Sequence, residues 1–115
     1  MCGISGVLAP GDRGTGQPRR EVVTAMASVL RHRGPDASGT WLDPSGRMAL
    51  GHTRLTIVDL SDAGAQPMTS RDGRWTITYN GEVYNTEDLR RSLGPVGWRG
   101  HSDTEVLVEH IARHG

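Results

Sequence analysis

The sequence predicts a small α+β domain, in which helices and antiparallel strand pairs are grouped rather than strictly alternating. Amphipathic helical patterns occupy residues 20–31 and the region after 102, and short strand-like runs joined by turns lie between them. The chain has 115 residues, enough for one small domain or part of a larger one. Only 35% of its residues are apolar and it has no Phe, so the predicted core is thin.

The N-terminal third predicts a strand followed by a helix. Residues 3–8 form a short apolar run with glycines, which indicates a strand that another backbone or a ligand approaches closely. Residues 9–18 are rich in Gly and Pro and predict a loop. Apolar residues then recur at helical spacing over 20–31, and the sequence around Gly34 and Pro35 ends that helix.

The middle of the chain predicts antiparallel strands. Strands are expected at 39–42 and 48–55, because the Asp-Pro-Ser-Gly sequence at 43–46 is typical of a turn. Residues 61–68 indicate an irregular loop. A further strand is predicted at 75–79, after a turn that contains Gly73.

The C-terminal part predicts two helices. Asn85 is a candidate N-cap for a short helix that ends near Leu93. Ser102 and Glu105 have the spacing of a capping box ahead of an apolar run, so a second helix is expected there.

Composition argues against several functional classes. Thirteen basic residues balance thirteen acidic ones, which disfavours nucleic acid and anionic membranes as partners. The chain contains no Lys, so it offers neither a Walker lysine nor a Schiff-base lysine. Its start is not typical of a signal peptide, and no apolar run approaches the roughly eighteen residues of a membrane span. One Cys and five scattered His predict no metal site, and the single Cys favours a cytoplasmic location.

Cys2 is a candidate nucleophile. The residue after the initiator methionine is small, which favours removal of Met1 and would leave Cys2 with a free α-amine beside its thiol. An α-amine with an ordinary pKa of about 8 can act as a base for a nucleophile on the same residue. Taken alone, the position is better explained as an accident of sequence.

Six sequence blocks carry a family resemblance across almost the whole chain. They are Met1–Gly6, Arg33–Asp36, Gly51–Ser61, Gly64–Met68, Tyr79–Asn85 and Ser102–Glu105. In this order they resemble the class II, or N-terminal nucleophile, glutamine amidotransferases, and the long block from Gly51 resembles the asparagine synthetase branch.

The resemblance implies an N-terminal-nucleophile hydrolase fold, an αββα sandwich of two antiparallel sheets. Residues 1–115 would be the N-terminal part of that domain, truncated, so we expect weak activity or none from this piece. The full family adds a synthetase domain that uses ATP and Mg²⁺ to activate aspartate, and a homodimer is possible there. No cofactor is expected in this chain. Glutamine is the implied substrate, and a synthetase domain or separate acceptor enzyme is the implied partner.

The resemblance also implies roles for individual residues. Cys2 would attack the glutamine carboxamide, while the Asn80 side chain and the Gly81 N–H would form the oxyanion hole. Arg54 would bind the α-carboxylate as a planar fork, and Asp103 and Glu82 would lie at the α-ammonium. Arg33 and Asp36 are expected to order the site loop. The pocket lining would come from Leu55, Thr56, Ile57 and Val58.

Simpler interpretations of these residues stay open. Asn80-Gly81 is also a common turn pair, and an acid at Asp103 is favoured by the helix dipole alone. At the level of function, the resemblance favours the glutamine-hydrolysing part of an asparagine synthetase. The alternatives are an amidotransferase for another acceptor and a catalytically silent remnant that acts as a binding module.

Overall fold

The computed structural model describes residues 2–11, 16–56 and 61–115. This part of the chain folds as a small α+β unit with antiparallel strands and three α-helices. Its strands are β1 Gly3–Leu8, β2 Ala37–Leu42, β3 Met48–Arg54, β4 Met68–Thr69 and β5 Thr76–Ile77. Its helices are α1 Gln17–Val29, α2 Thr86–Leu93 and α3 Asp103–His114, with 3₁₀ turns at Leu30–Arg33 and Asp62–Gly64.

The main sheet has three strands in the order β1-β3-β2, with the central strand β3 antiparallel to both neighbours. The predicted turn at 43–46 joins β2 to β3, and it is closed by the Asp43 N–H bonded to the Met48 carbonyl at 2.8 Å. Gly3 pairs with Thr53, so the start of β1 lies beside the end of β3. The predicted strands at 3–8, 39–42 and 48–55 are therefore confirmed, to within two residues at their ends.

Alternate residues of β3 face opposite sides of the sheet, as the period of a strand requires. On one side helix α1 covers the sheet, where Val23 of α1 is fully buried. On the other side His52 reaches Thr78, just beyond β5. The hairpin of β4 and β5 packs in turn against α3. Successive layers are thus α1, the three-stranded sheet, the hairpin, and α3 with α2.

The strand predicted at 75–79 is shorter in the structure. Only Thr76 and Ile77 pair with β4. The Trp75 N–H instead bonds the Ser70 hydroxyl at 3.1 Å, and the Tyr79 N–H bonds Oε1 of Gln66 at 2.7 Å. At both ends of β5, side chains therefore accept the backbone N–H groups that a longer strand would have paired with β4.

The N-terminal ends of α1 and α2 differ in detail from the prediction. Helix α1 begins at Gln17, three residues early, because Pro18 lies in its first turn, where a proline is tolerated. Asn85 occupies the predicted N-cap position of α2, but in the described structure its side chain makes no capping bond. The hydroxyl of Thr86 donates to the Val83 carbonyl at 2.6 Å.

Ser102 caps the N-terminus of α3 as predicted, whereas the Glu105 side chain bonds backbone groups other than the Ser102 N–H that a capping box uses. The Ser102 hydroxyl accepts the Glu105 N–H at 3.2 Å. Glu105 is fully buried, and its carboxylate accepts backbone N–H groups of Arg99 and Gly100 at 2.7 and 3.1 Å. These bonds fix the loop before α3 onto the helix.

None of the helices in the described ranges is both long and apolar enough to cross a membrane.

Candidate active site

Cys2 lies at the start of β1, beside the end of β3. Its Sγ accepts the Leu55 N–H at 3.4 Å and lies 3.8 Å from the Leu55 carbonyl oxygen. The side chain is partly buried, so the sulfur is held by backbone and remains accessible.

Asn80 lies next to Cys2 in space. Its Oδ1 accepts the Cys2 backbone N–H at 3.1 Å. Because the amide oxygen is engaged by Cys2, the Nδ2 group of the same planar amide stays available as a donor on the opposite edge. Asn80 and Gly81 are both exposed, in the loop that follows β5. The structure thus brings a candidate nucleophile and a candidate oxyanion donor together.

Thr53 fixes the backbone beside the nucleophile. Its hydroxyl oxygen accepts the Gly3 N–H at 3.1 Å and donates to the Leu30 carbonyl at 3.2 Å. A Cβ on Gly3 would lie 2.5 Å from the Thr53 hydroxyl oxygen and 2.9 Å from Cβ of Leu30. Only glycine therefore fits at the position after Cys2 without a shift of its neighbours.

Asp36 binds the backbone just after the end of β3. Its Oδ2 accepts the Thr56 N–H at 2.7 Å, which is the loop-ordering contact predicted for this residue. Arg54 points to the same loop, where its Nη1 donates to the Ser61 carbonyl at 2.8 Å. The predicted pocket residues Ile57 and Val58 lie outside the described residues.

Asp103 lies at the N-terminus of α3 and reaches the loop that carries Asn80. Its Oδ2 accepts the Val83 N–H at 3.0 Å. Glu82, which precedes Val83, is exposed, and Asp103 is half-buried. The predicted ammonium-binding pair is therefore adjacent, with one carboxylate oxygen of Asp103 committed to the backbone.

Two residues without a predicted role support the loop that carries Asn80. Gln66 bonds Tyr79, the neighbour of Asn80, and also contacts α3 through the hydroxyl of Thr104. His52 is 1% exposed, and its Nδ1 lies 3.0 Å from the Thr78 hydroxyl. Both residues belong to blocks that carried the resemblance, so their place in the motifs was the available signal.

His52 is uncharged in this environment. Burial, and secondarily the positive charge of Arg54, lower the pKa of His52 from 6.5 to about 4. Its Nε2 has no hydrogen-bond partner among the described residues. These facts fit a neutral ring whose Nδ1–H donates to Thr78.

Across the described ranges, no three His, Cys, Asp or Glu side chains are grouped to hold a metal ion.

The family model of the glutamine amidotransferase domain matches residues 1–115, the whole chain. The chain belongs to this family. Its relatives include glutamine-hydrolysing asparagine synthetases from Sandersonia aurantiaca and Asparagus officinalis, each 42% identical over all 115 residues. The corresponding enzyme from Brassica oleracea is 40% identical over the same length. These matches confirm the resemblance on which the residue roles were predicted.

The amidotransferase match covers only part of those relatives. The chain spans 21% of the Sandersonia protein and 19% of the other two. Membership of the family is therefore established for this chain, whereas the chemistry of the longer relatives extends over sequence that the 115 residues do not include.

Proposed function

We propose that this chain is the glutamine-hydrolysing part of an asparagine synthetase, releasing ammonia and glutamate from glutamine through a Cys2 thioester. The observation that carries the proposal is the contact between Cys2 and Asn80. The Cys2 nitrogen is 3.1 Å from Asn80 Oδ1, while Sγ rests against the Leu55 backbone. Nitrogen, sulfur and an amide donor are thus grouped at one place.

The chemistry starts with removal of Met1. The Cys2 nitrogen then becomes an α-amine, which takes the thiol proton while the sulfur attacks the glutamine side-chain carbonyl. The ammonium so formed protonates the nitrogen of the tetrahedral intermediate. The C–N bond then breaks, which releases ammonia and leaves the glutamyl group on Cys2 as a thioester. Water attacks the thioester with the amine as base; the C–S bond breaks, glutamate leaves, and the thiol recovers its proton.

Asn80 and Gly81 supply the oxyanion hole in this proposal. The Oδ1 contact to Cys2 fixes the plane of the Asn80 amide and leaves Nδ2 to face the developing oxyanion. The Gly81 N–H is the second donor. Preorganised donors of this kind each contribute about 3–4 kcal/mol to transition-state stabilisation.

Charged side chains near the loop that carries Asn80 bind the α-carboxylate and α-ammonium groups of glutamine. Arg54 binds the α-carboxylate, for which its fork is suited. Oδ1 of Asp103, with Glu82 beside it, binds the α-ammonium, while Oδ2 stays on Val83. The pocket lining is completed by Leu55, Thr56, Ile57 and Val58.

The larger setting follows from the relatives. We propose that the chain is the N-terminal part of an αββα domain, which the order of its layers supports, since helix, sheet, hairpin and helix follow one another. Ammonia passes to a synthetase domain that binds ATP and Mg²⁺ and activates aspartate, in a cytoplasmic enzyme that forms homodimers. The activity for which the relatives are named, glutamine-hydrolysing asparagine synthesis, supports this assignment.

Substitution of Cys2 tests the proposal. With Met1 removal verified by intact mass, the wild-type chain should release glutamate slowly from glutamine, and Cys2→Ala should reduce that rate to the uncatalysed background, because the chain has no other thiol. Ser5→Ala, on the same strand, is the matched control and should retain wild-type turnover. Equal glutamate release by wild type and Cys2→Ala would exclude the thioester route.

A further inference from the structure

The side chain of Gln66 joins two parts of the candidate site. Its Oε1 accepts the Tyr79 N–H at 2.7 Å, and its Nε2 donates to the Thr104 hydroxyl at 3.0 Å. Tyr79 precedes Asn80, and Thr104 follows Asp103 in the first turn of α3. One amide therefore connects the residue before the oxyanion donor to the helix that carries the predicted ammonium ligand.

The backbone of Gln66 is itself fixed against the main sheet. Gly39 of β2 lies directly against it, and a Cβ on Gly39 would collide with the Gln66 carbonyl oxygen. Thr104 is 3% exposed, so the other end of the bridge is also buried. The amide is thus held from both sides, which gives it little freedom to follow movements of the loop.

The loop at 79–83 has a second anchor at its other end. Asp103 Oδ2 accepts the Val83 N–H at 3.0 Å. Both anchors lead to the same turn of α3, through Asp103 directly and through Thr104 by way of Gln66. Asn80, Gly81 and Glu82 lie between them.

We infer that Gln66, supported by Thr104, is a positioning residue that holds the Asn80-Gly81 loop at the distance from Cys2 that glutamine hydrolysis requires. The inference rests on the proposed function. Donors in an oxyanion hole act only when they are held close to the position of the developing charge, and displacement by about 1 Å can cost about 100-fold in rate. Loss of the bridge should therefore lower kcat and leave the KM for glutamine nearly unchanged, because Arg54 and Asp103 keep their own supports.

The experiment compares four variants of the full 115-residue chain. Gln66→Ala removes both bonds of the bridge, and Thr104→Val removes the acceptor at constant shape. Thr104→Ser keeps a hydroxyl and is the rescue variant. Thr69→Val is the matched control, since it breaks the 3.0 Å contact between the Thr69 and Thr76 hydroxyls on the same hairpin without touching the loop.

Two readouts are recorded: kcat and KM for glutamate release, and residue-resolved amide exchange. We expect Gln66→Ala to lower kcat about 10- to 100-fold with KM within about twofold, and to speed exchange of the Tyr79 amide at least about tenfold. The β3 amides should exchange as in wild type. Thr104→Val should show the same pattern more weakly, whereas Thr104→Ser and Thr69→Val should resemble wild type.

The two claims fail in different ways. Failure of an electrophilic glutamine analogue to label Cys2 in the wild-type chain would overturn the proposed function, and the catalytic inference with it. Wild-type turnover with an unchanged kcat in Gln66→Ala, or an unchanged Tyr79 amide, would overturn the inference alone. Equal loss in Thr69→Val would also overturn it, because the effect would then belong to the whole hairpin.

Discussion

Cys2 and Asn80 are 78 residues apart in the chain, yet the Cys2 nitrogen donates to the Asn80 side chain. Each residue alone has an ordinary explanation, as a chance cysteine or as part of a turn. Their contact places both in one candidate site, and the amide oxygen that accepts from Cys2 fixes the direction of the amide nitrogen. A pairing over such a separation depends on the fold and could not follow from local spacing.

Arg54 offers a test of substrate binding. Replacing Arg54 by Lys removes the planar fork that would pair with the glutamine α-carboxylate. Losing one charge-assisted bond costs about 1.5–3 kcal/mol, so the KM for glutamine should rise about 10- to 100-fold with kcat within about threefold. Steady-state kinetics measure both constants.

Arg47→Lys is the control for Arg54, since Arg47 is exposed just before β3, at the end of that strand away from Cys2. It should leave the KM unchanged. An unchanged KM in Arg54→Lys as well would assign Arg54 to support of the loop, through its bond to the Ser61 carbonyl.

His52 predicts a dependence of stability on pH. Burial lowers the pKa of His52 from 6.5 to about 4, so the folded chain resists protonation that the unfolded chain accepts. As pH falls below 6.5 the unfolded state binds the proton first, and stability declines until about pH 4, where the folded state binds it too. A tenfold difference in proton affinity corresponds to roughly 1.4 kcal/mol, so the loss from this group is about 3 kcal/mol.

Urea unfolding of wild type and His52→Gln between about pH 4 and 7.5 measures this loss. The difference between the two free energies of unfolding should shrink or reverse as the pH falls, because the variant lacks the titrating ring. His32→Gln, at an exposed histidine, should follow the wild-type profile. Parallel profiles for wild type and His52→Gln would refute the assignment of a neutral buried ring.

Among the elements, those with a strong local signal were predictable from sequence. Apolar periodicity located helix α1, and the turn at 43–46 located β2 and β3. The capping pair Ser102 and Glu105 located α3. The ends of β5 were not predictable, because its flanking N–H groups bond the side chains of Ser70 and Gln66 from elsewhere in the fold. The start of α1 was not predictable either, because the Gly- and Pro-rich composition of residues 9–18 favours a loop.

The cap of α3 gives a prediction at the same scale. Ser102→Ala removes the acceptor for the Glu105 N–H and should lower the free energy of unfolding by about 1 kcal/mol. Ser92→Ala, at an exposed hydroxyl in α2, is the control and should change stability by less than about 0.5 kcal/mol. Urea denaturation measures both. A Ser102→Ala value as small as the control would show that the buried Glu105 carboxylate, rather than the cap, holds this end of the helix.

For the whole molecule, the core is small and part of the three-stranded sheet is exposed to solvent. Few of the buried apolar side chains are large, among them Leu50, Met68 and Leu93, while Ile4 and Leu8 of β1 are 49% and 64% exposed. The open residues lie on the strand that follows Cys2. We therefore expect modest stability and slow turnover from these 115 residues, which span about a fifth of the length of their asparagine synthetase relatives.

The most direct test of the central claim is covalent capture of Cys2. The chain, with Met1 removed, is incubated with an electrophilic glutamine analogue and analysed by intact and peptide mass spectrometry, with and without excess glutamine. We predict one adduct per chain, on Cys2, whose formation is slowed by glutamine and lost in Cys2→Ala. No adduct, or labelling that glutamine does not slow, would contradict the assignment of Cys2 as the nucleophile of a glutamine site.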